Sequence, residues 1–318
     1  MALVAARLLL FCLPVAAAYC ASDEYRPAEF ASTTREVMVS FNLLGPSEAD
    51  FSNLGKGDFT LTEDGQPRPI RFFAKNQDTP LSLAIVLDMS GSQIGVSGAN
   101  QRRIRQFLYQ VIRDGDTVFL VTVQRKVRLV LDEDAPRAEW NDVLAGVAKH
   151  LRGRPVWAER FGGSPIHDAL VECVERKFRN RAGRKAILLF SDGDDNASRT
   201  SASTLIEKLQ SANVAVFGLQ SPSAMATIVR YFPANMLLRP LIIRNKMREV
   251  SQETGGQFYP AAELENRLND VEQRLQTMFV VSFAPGVAQP DDRYHSIGIA
   301  CKLPGSQVVH KRGYRYSE

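Results

Sequence analysis

The stretch LAIVLDMSGSQ, residues 83 to 93, runs five apolar side chains into Asp88 and then places hydroxyls at Ser90 and Ser92. A short apolar run without alternation is the pattern of a strand covered on both faces. Where that run stops, three oxygen-bearing side chains follow at intervals of two residues. Such a cluster at the end of a buried strand requires a partner.

The same grammar extends outward. LSLAIVLD, DTVFLVTVQ and VRLVLD, then KAILLFSD (185 to 192) and NVAVFGLQ (213 to 220), read as strands, with helical patterns over 99–113, 137–151, 165–178, 201–212, 246–254 and 262–276. Alternation of this kind predicts an α/β fold with a doubly wound, mostly parallel central sheet. The glycines of TGG at 254–256 are placed to stop a helix, and MFVVSFAP, ending near 284, reads as the closing strand of the same unit. Residues 221–245 carry no readable period.

The flanks differ. Residues 35 to 75 contain short alternating strands around an EDGQP turn, and the tail YHSIGIACKLPGSQVVHKRGYRY alternates around PG. Neither flank alone has enough apolar faces for a stable sheet. We therefore expect them to meet in a small antiparallel, β-sandwich-like domain, with Phe59, Leu61, Ile70 and Phe72 near Ile297, Ile299 and Val309. The expected division is a signal peptide (1–18), a linker (19–34), a β-rich flank (35–80), the α/β unit (81–284) and the second flank (285–318).

The leader expectation rests on MALVAARLLLFCLPVAAAYC, which has one arginine, an apolar run broken by Pro14, and small residues at Ala16, Ala17 and Ala18. Its removal would leave no membrane span and a secreted or periplasmic chain. Three cysteines would then remain, Cys20, Cys173 and Cys301, an odd number that makes no disulfide framework. Cys173 reads as a core residue, whereas Cys20 and Cys301 could bridge. The net charge of +4 arises from 39 basic and 35 acidic residues spread along the chain. That distribution excludes nucleic acid as an expected partner.

In an open parallel sheet, ligands sit beyond the carboxyl ends of strands whose connections leave in opposite directions. Asp88 ends one strand and Asp192 another. If these strands are neighbours, Asp88, Ser90, Ser92, Asp192 and Ser164 of GGSPIHDAL share one crevice. Five hard oxygens suit magnesium, manganese or calcium. Taken singly, Asp88 and Ser90 could instead cap a helix, and Asp192 could make an Asp-Gly turn.

Together, DMSGS, GGSPIHDAL and LLFSDGDDNAS resemble the three loops of a von Willebrand factor type A domain with a metal-ion-dependent adhesion site. More narrowly, GDFTLTEDGQPRPIRFF, GRKAILLFSDGDDNAS, SQETGGQFYP and KRGYRY resemble the secreted, acidobacterial-type group of such proteins. The resemblance implies that Asp88, Ser90, Ser92, Ser164 and Asp192 hold the metal, some through water, leaving a position for a partner's carboxylate. Ser164 and Ser191 stand where that pattern usually has threonine. The expected function is an extracytoplasmic adhesion or assembly module that binds a protein offering an acidic side chain. A scaffold with a degenerate metal site is the alternative, and a magnesium-dependent hydrolase a more distant one. The hydrolase would want a second acid at position 90 and a placed lysine, and no Ser-His-Asp arrangement is legible. No enzyme is expected. An EF-hand reading of DGDDNAS fails because Ala197 and Ser203 stand where glycine and glutamate belong. The histidines at 150, 167, 295 and 310 show no ligand spacing, and His167 reads as a solvated or capping residue. Trp157 and Phe161 could rim a binding surface or anchor a local core.

Overall fold

A computed structural model describes residues 36–45, 51–89, 98–133, 135–152, 163–193, 195–220, 239–261 and 264–317. The expected signal peptide and linker, Cys20, Ser90, Ser92, Trp157 and Phe161 lie outside these residues.

The central sheet begins with β5 (Leu81–Asp88), after four strands in the first flank: β1 (Val37–Leu44), β2 (Phe59–Glu63), β3 (Gln66–Arg68) and β4 (Phe72–Ala74). Helix α1 (Gly98–Val111) leads to β6 (Thr117–Val123), which turns back into β7 (Val127–Leu131). Helices α2 (Trp140–Arg152) and α3 (Ile166–Cys173) precede β8 (Arg184–Ser191), and α4 (Ala202–Ser211) leads to β9 (Ala215–Gln220). Helix α5 (Arg239–Glu253), the short β10 (Phe258–Tyr259) and α6 (Leu264–Gln276) complete the unit. The sheet order is β10-β9-β8-β5-β6-β7, parallel except for the β6–β7 hairpin.

Both faces of this sheet are covered, which is why its strands read as unbroken apolar runs. Leu81, Leu83, Ile85 and Leu87 of β5 enter one core with residues of α1, α2 and α6. Ala84 and Val86 enter a second core with α3, α4 and α5. Successive residues of a strand face opposite sides, so a doubly covered strand needs apolar side chains at every position.

The two flanks meet. β11 (Met278–Phe283), β12 (Tyr294–Cys301), β13 (Gln307–His310) and β14 (Gly313–Arg315) join the first four strands in two antiparallel sheets, ordered β13-β1-β11-β4 and β14-β12-β2-β3. One core lies between them, drawing Val39 and Phe41 from β1, Phe59 and Leu61 from β2, Phe279 and Val281 from β11, and Ile297 and Ile299 from β12. The EDGQ turn joins β2 to β3 with Asp64 at φ 49° and Gly65 at φ 75°. Two consecutive left-handed residues match the strand twist, the reason Asp-Gly is favoured in such hairpins.

Four expectations are corrected. MFVVSFAP does not close the central sheet: β11 pairs with β1 and β4, from Val37↔Phe283 to Asn42↔Met278 on one side. A uniformly apolar strand fits any doubly covered slot, and it joins both bodies: Met278 packs in the first α/β core while Phe279, Val281 and Phe283 pack in the sandwich. Within the flanks, Phe73 and Val308 pack on the sandwich core rather than the expected Phe72 and Val309. A shift of one residue moves a side chain to the other face. Helix α5 begins at Arg239, seven residues before the expected start, and Pro240 is tolerated there because a first-turn residue needs no amide hydrogen. The expected 165–178 helix also changes its winding, with a π-helical segment over Val174–Phe178.

Candidate metal centre

β5 and β8 are parallel neighbours, in register from Leu81↔Arg184 to Leu87↔Phe190. From β5 the chain proceeds to β6 on one side, and from β8 to β9 on the other. This is the point where a doubly wound sheet opens a crevice beyond its carboxyl edge. Asp88 and Ser191 are the terminal residues of the two strands, and Asp192 follows directly.

The Asp88 side chain is 1% exposed. Its Oδ1 accepts a hydrogen bond from Ser164 Oγ at 3.1 Å, and its Oδ2 accepts one from Ser191 Oγ at 2.8 Å. Ser164 is brought there by the turn before α3, where its amide donates to Asn196 Oδ1 at 2.9 Å. Ser191 in turn accepts the Gly193 amide at 2.9 Å. Gly193 has φ 87°, a left-handed conformation that favours glycine after Asp192.

Of the five expected ligands, the structure joins Asp88 and Ser164 directly and sets Asp192 beside Ser191. Ser90 and Ser92 lie outside the described residues. Ser191, noted in the sequence only as a departure from threonine, is a direct partner of Asp88. The sequence also gave no sign of Asn196, whose amide side chain acts across 32 positions.

His167 is not solvated or a simple cap. Its side chain is 13% exposed, and Nδ1 lies 2.7 Å from Asp195 Oδ2 and 3.0 Å from the Thr200 carbonyl. Both partners are acceptors, so Nδ1 carries the hydrogen. Burial alone would pull the imidazole down, but the hydrogen bond and charge of Asp195 outweigh it and hold His167 above its ordinary value. Burial likewise acts to raise Asp195, and the contacts with His167 and Ser198 bring it below the ordinary carboxylate range.

A buried carboxylate, a hydroxyl from the turn before α3 and a hydroxyl at the end of β8 form a hard-oxygen set that fits magnesium, manganese or calcium. The hydroxyl hydrogens of Ser164 and Ser191 go to a carboxylate and not to a histidine, which is not the arrangement of an activated nucleophile.

The chain is similar to von Willebrand factor type A structures. A type A protein from Catenulispora acidiphila shares 10% identity at a TM-score of 0.43, over 91% of this chain and 76% of that one. Proximal thread matrix protein 1 from the mussel byssus, solved with zinc in its MIDAS motif, shares 15% identity at 0.46, over 67% of this chain and 49% of that one. An aerotolerance-related membrane protein from Bacteroides fragilis shares 12% identity at 0.41, over 61% of this chain and 98% of that one. No family model matches the chain, and no curated protein matches it. At these scores the likeness carries no argument about function, which rests on the residues themselves.

Proposed function

We propose that the chain is an extracytoplasmic, metal-dependent protein-binding module for adhesion or assembly. Its divalent ion would be held by Asp88, Ser90, Ser92, Ser164 and Asp192 and would capture a carboxylate of a partner protein. The observation that carries this reading is the Asp88 carboxylate, buried where β5 meets β8, with one oxygen on the hydroxyl of Ser164 from the turn before α3 and the other on that of Ser191 at the end of β8. The ion supplies the contact when bound, and the chain supplies a preformed oxygen cradle and exclusion of water from Asp88. Among the described residues no helix is long and apolar enough to cross a membrane.

Calorimetry on metal-stripped protein tests the reading. We expect one-site binding of magnesium, manganese or calcium, lost in Asp88→Ala. Partner capture should be abolished by chelator and by Asp192→Ala with an unchanged far-UV spectrum. The same contacts motivate the second reading, a scaffold with a degenerate site, because the two hydroxyls already satisfy Asp88 without an ion. Absence of binding heat in the wild-type protein would decide for the scaffold. Turnover of generic phosphate or ester substrates with magnesium present is expected to be nil.

A further inference from the structure

The loop that begins with Asp192 is gripped at its far end by the head of α3. The Asp168 carboxylate, in the first turn of α3, reaches across to the main chain of this loop. Its Oδ2 accepts the Arg199 amide at 3.1 Å and its Oδ1 the Thr200 amide at 3.0 Å. The Asp168 amide donates to Ser198 Oγ at 3.1 Å. One residue earlier, His167 binds Asp195 and the Thr200 carbonyl, and Asp195 Oδ1 accepts the Ser198 amide at 3.2 Å. Ser164 closes the set through Asn196. Three residues of one loop and helix head thus hold five residues of the other.

These bonds are more than a helix cap. The N-cap position of α3 is Pro165, whose side chain has no acceptor, and the Asp168 carboxylate serves amides 31 and 32 positions away and not those of its own helix. Burial acts to raise Asp168, and the Thr200 and Arg199 hydrogen bonds reverse it and keep the group below the ordinary carboxylate range. Such bonds to an ionised acceptor are stronger than neutral ones.

We propose that Asp168, with His167 and Asp195, is a positioning residue for the candidate metal centre, fixing the loop that carries Asp192 relative to the turn that carries Ser164. This rests on the metal-site reading above. Asp192 lies between two anchors: β8, held through Ser191 on Asp88, and the grip on residues 195–200. With the grip in place the loop is ordered before the ion arrives. Without it, ion binding must order that backbone at an entropic cost. Partners one step removed from metal ligands typically alter affinity by about 10- to 100-fold.

The test uses the full chain. Manganese affinity is measured by calorimetry for the wild type, Asp168→Ala and the milder Asp168→Asn, which keeps one acceptor. Amide hydrogen exchange at Arg199 and Thr200 is followed on the metal-free proteins. We expect affinity to fall at least tenfold in Asp168→Ala and less in Asp168→Asn, in step with lost protection of the two amides and with an unchanged far-UV spectrum. Wild-type affinity in Asp168→Ala, or amides that stay protected there, would overturn the proposal while leaving the metal site standing. If the wild type takes up no manganese, magnesium or calcium, the metal-site reading fails and the positioning role falls with it.

Discussion

Ser191 Oγ donates to Asp88 Oδ2 at 2.8 Å, tying the ends of two neighbouring parallel strands at the mouth of the sheet. The acceptor is 1% exposed, and the donor is fully buried. Removing one partner of a buried hydrogen bond costs about 1–3 kcal/mol. Ser191→Ala should therefore lower the free energy of unfolding by that amount, seen as a lower urea midpoint at an unchanged m-value. Ser191→Thr, which keeps the hydroxyl, should lose less. An unaltered midpoint in Ser191→Ala would show that the bond contributes nothing to the fold.

His295, 7% exposed on β12, lies with Nδ1 2.7 Å from Asp64 Oδ2 and Nε2 3.1 Å from Asp291 Oδ1, its ring stacked on Tyr314. Only an imidazolium donates from both nitrogens. Burial alone would lower His295, and the two carboxylates reverse this and raise it above 6.5. A raised histidine stabilises fully below its unfolded value and loses that contribution as pH climbs through the folded one. The melting temperature should fall on going from pH 6 to pH 8, and His295→Gln should flatten this fall.

Two buried lysines push the other way. Lys311 Nζ donates to the Gln210 carbonyl at 2.8 Å and Lys185 Nζ to the Ala212 carbonyl at 2.8 Å, both at the end of α4. Burial, aided by Lys185, pulls Lys311 down to about 7, and burial pulls Lys185 down to about 8. Above these values the folded chain holds fewer protons than the unfolded chain, so stability rises with pH up to about 10. Lys311→Met should reduce this rise in denaturant titrations across pH 7 to 10. Near neutral pH it should be neutral or stabilising, because it removes a buried cation.

The sandwich core centres on Phe279, whose ring lies 5.3 Å from Phe41, 5.6 Å from Phe59 and 5.8 Å from Phe73. Phe279→Ala should cost about 3–5 kcal/mol in equilibrium unfolding. Because this core takes side chains from both flanks, Phe59 and Leu61 with Ile297, Ile299 and Tyr314, limited proteolysis should show cleavage near residues 59–74 and 294–315 rising together. Cleavage confined to one flank would argue against a shared core.

The local pattern of the chain determined its α/β class. A strand covered on both faces must be apolar at every position, so LAIVLD and KAILLFSD announced a parallel sheet, and an aspartate ending each marked the place where a crevice could form. Pairing is not local, and there the tertiary structure decided. MFVVSF is apolar enough for either sheet, and its choice of β1 and β4 depended on residues more than two hundred positions away. The register of the flanks, which put Phe73 and Val308 inward instead of Phe72 and Val309, was set by neighbouring strands. The Ser191–Asp88 bond, the grip of Asp168 on residues 199 and 200, and the enclosure of His295 by Asp64 and Asp291 join groups remote in sequence. A serine, a histidine or an aspartate reads as an ordinary polar residue until folding brings its partner within 3 Å or so, and only then does burial give that contact its strength.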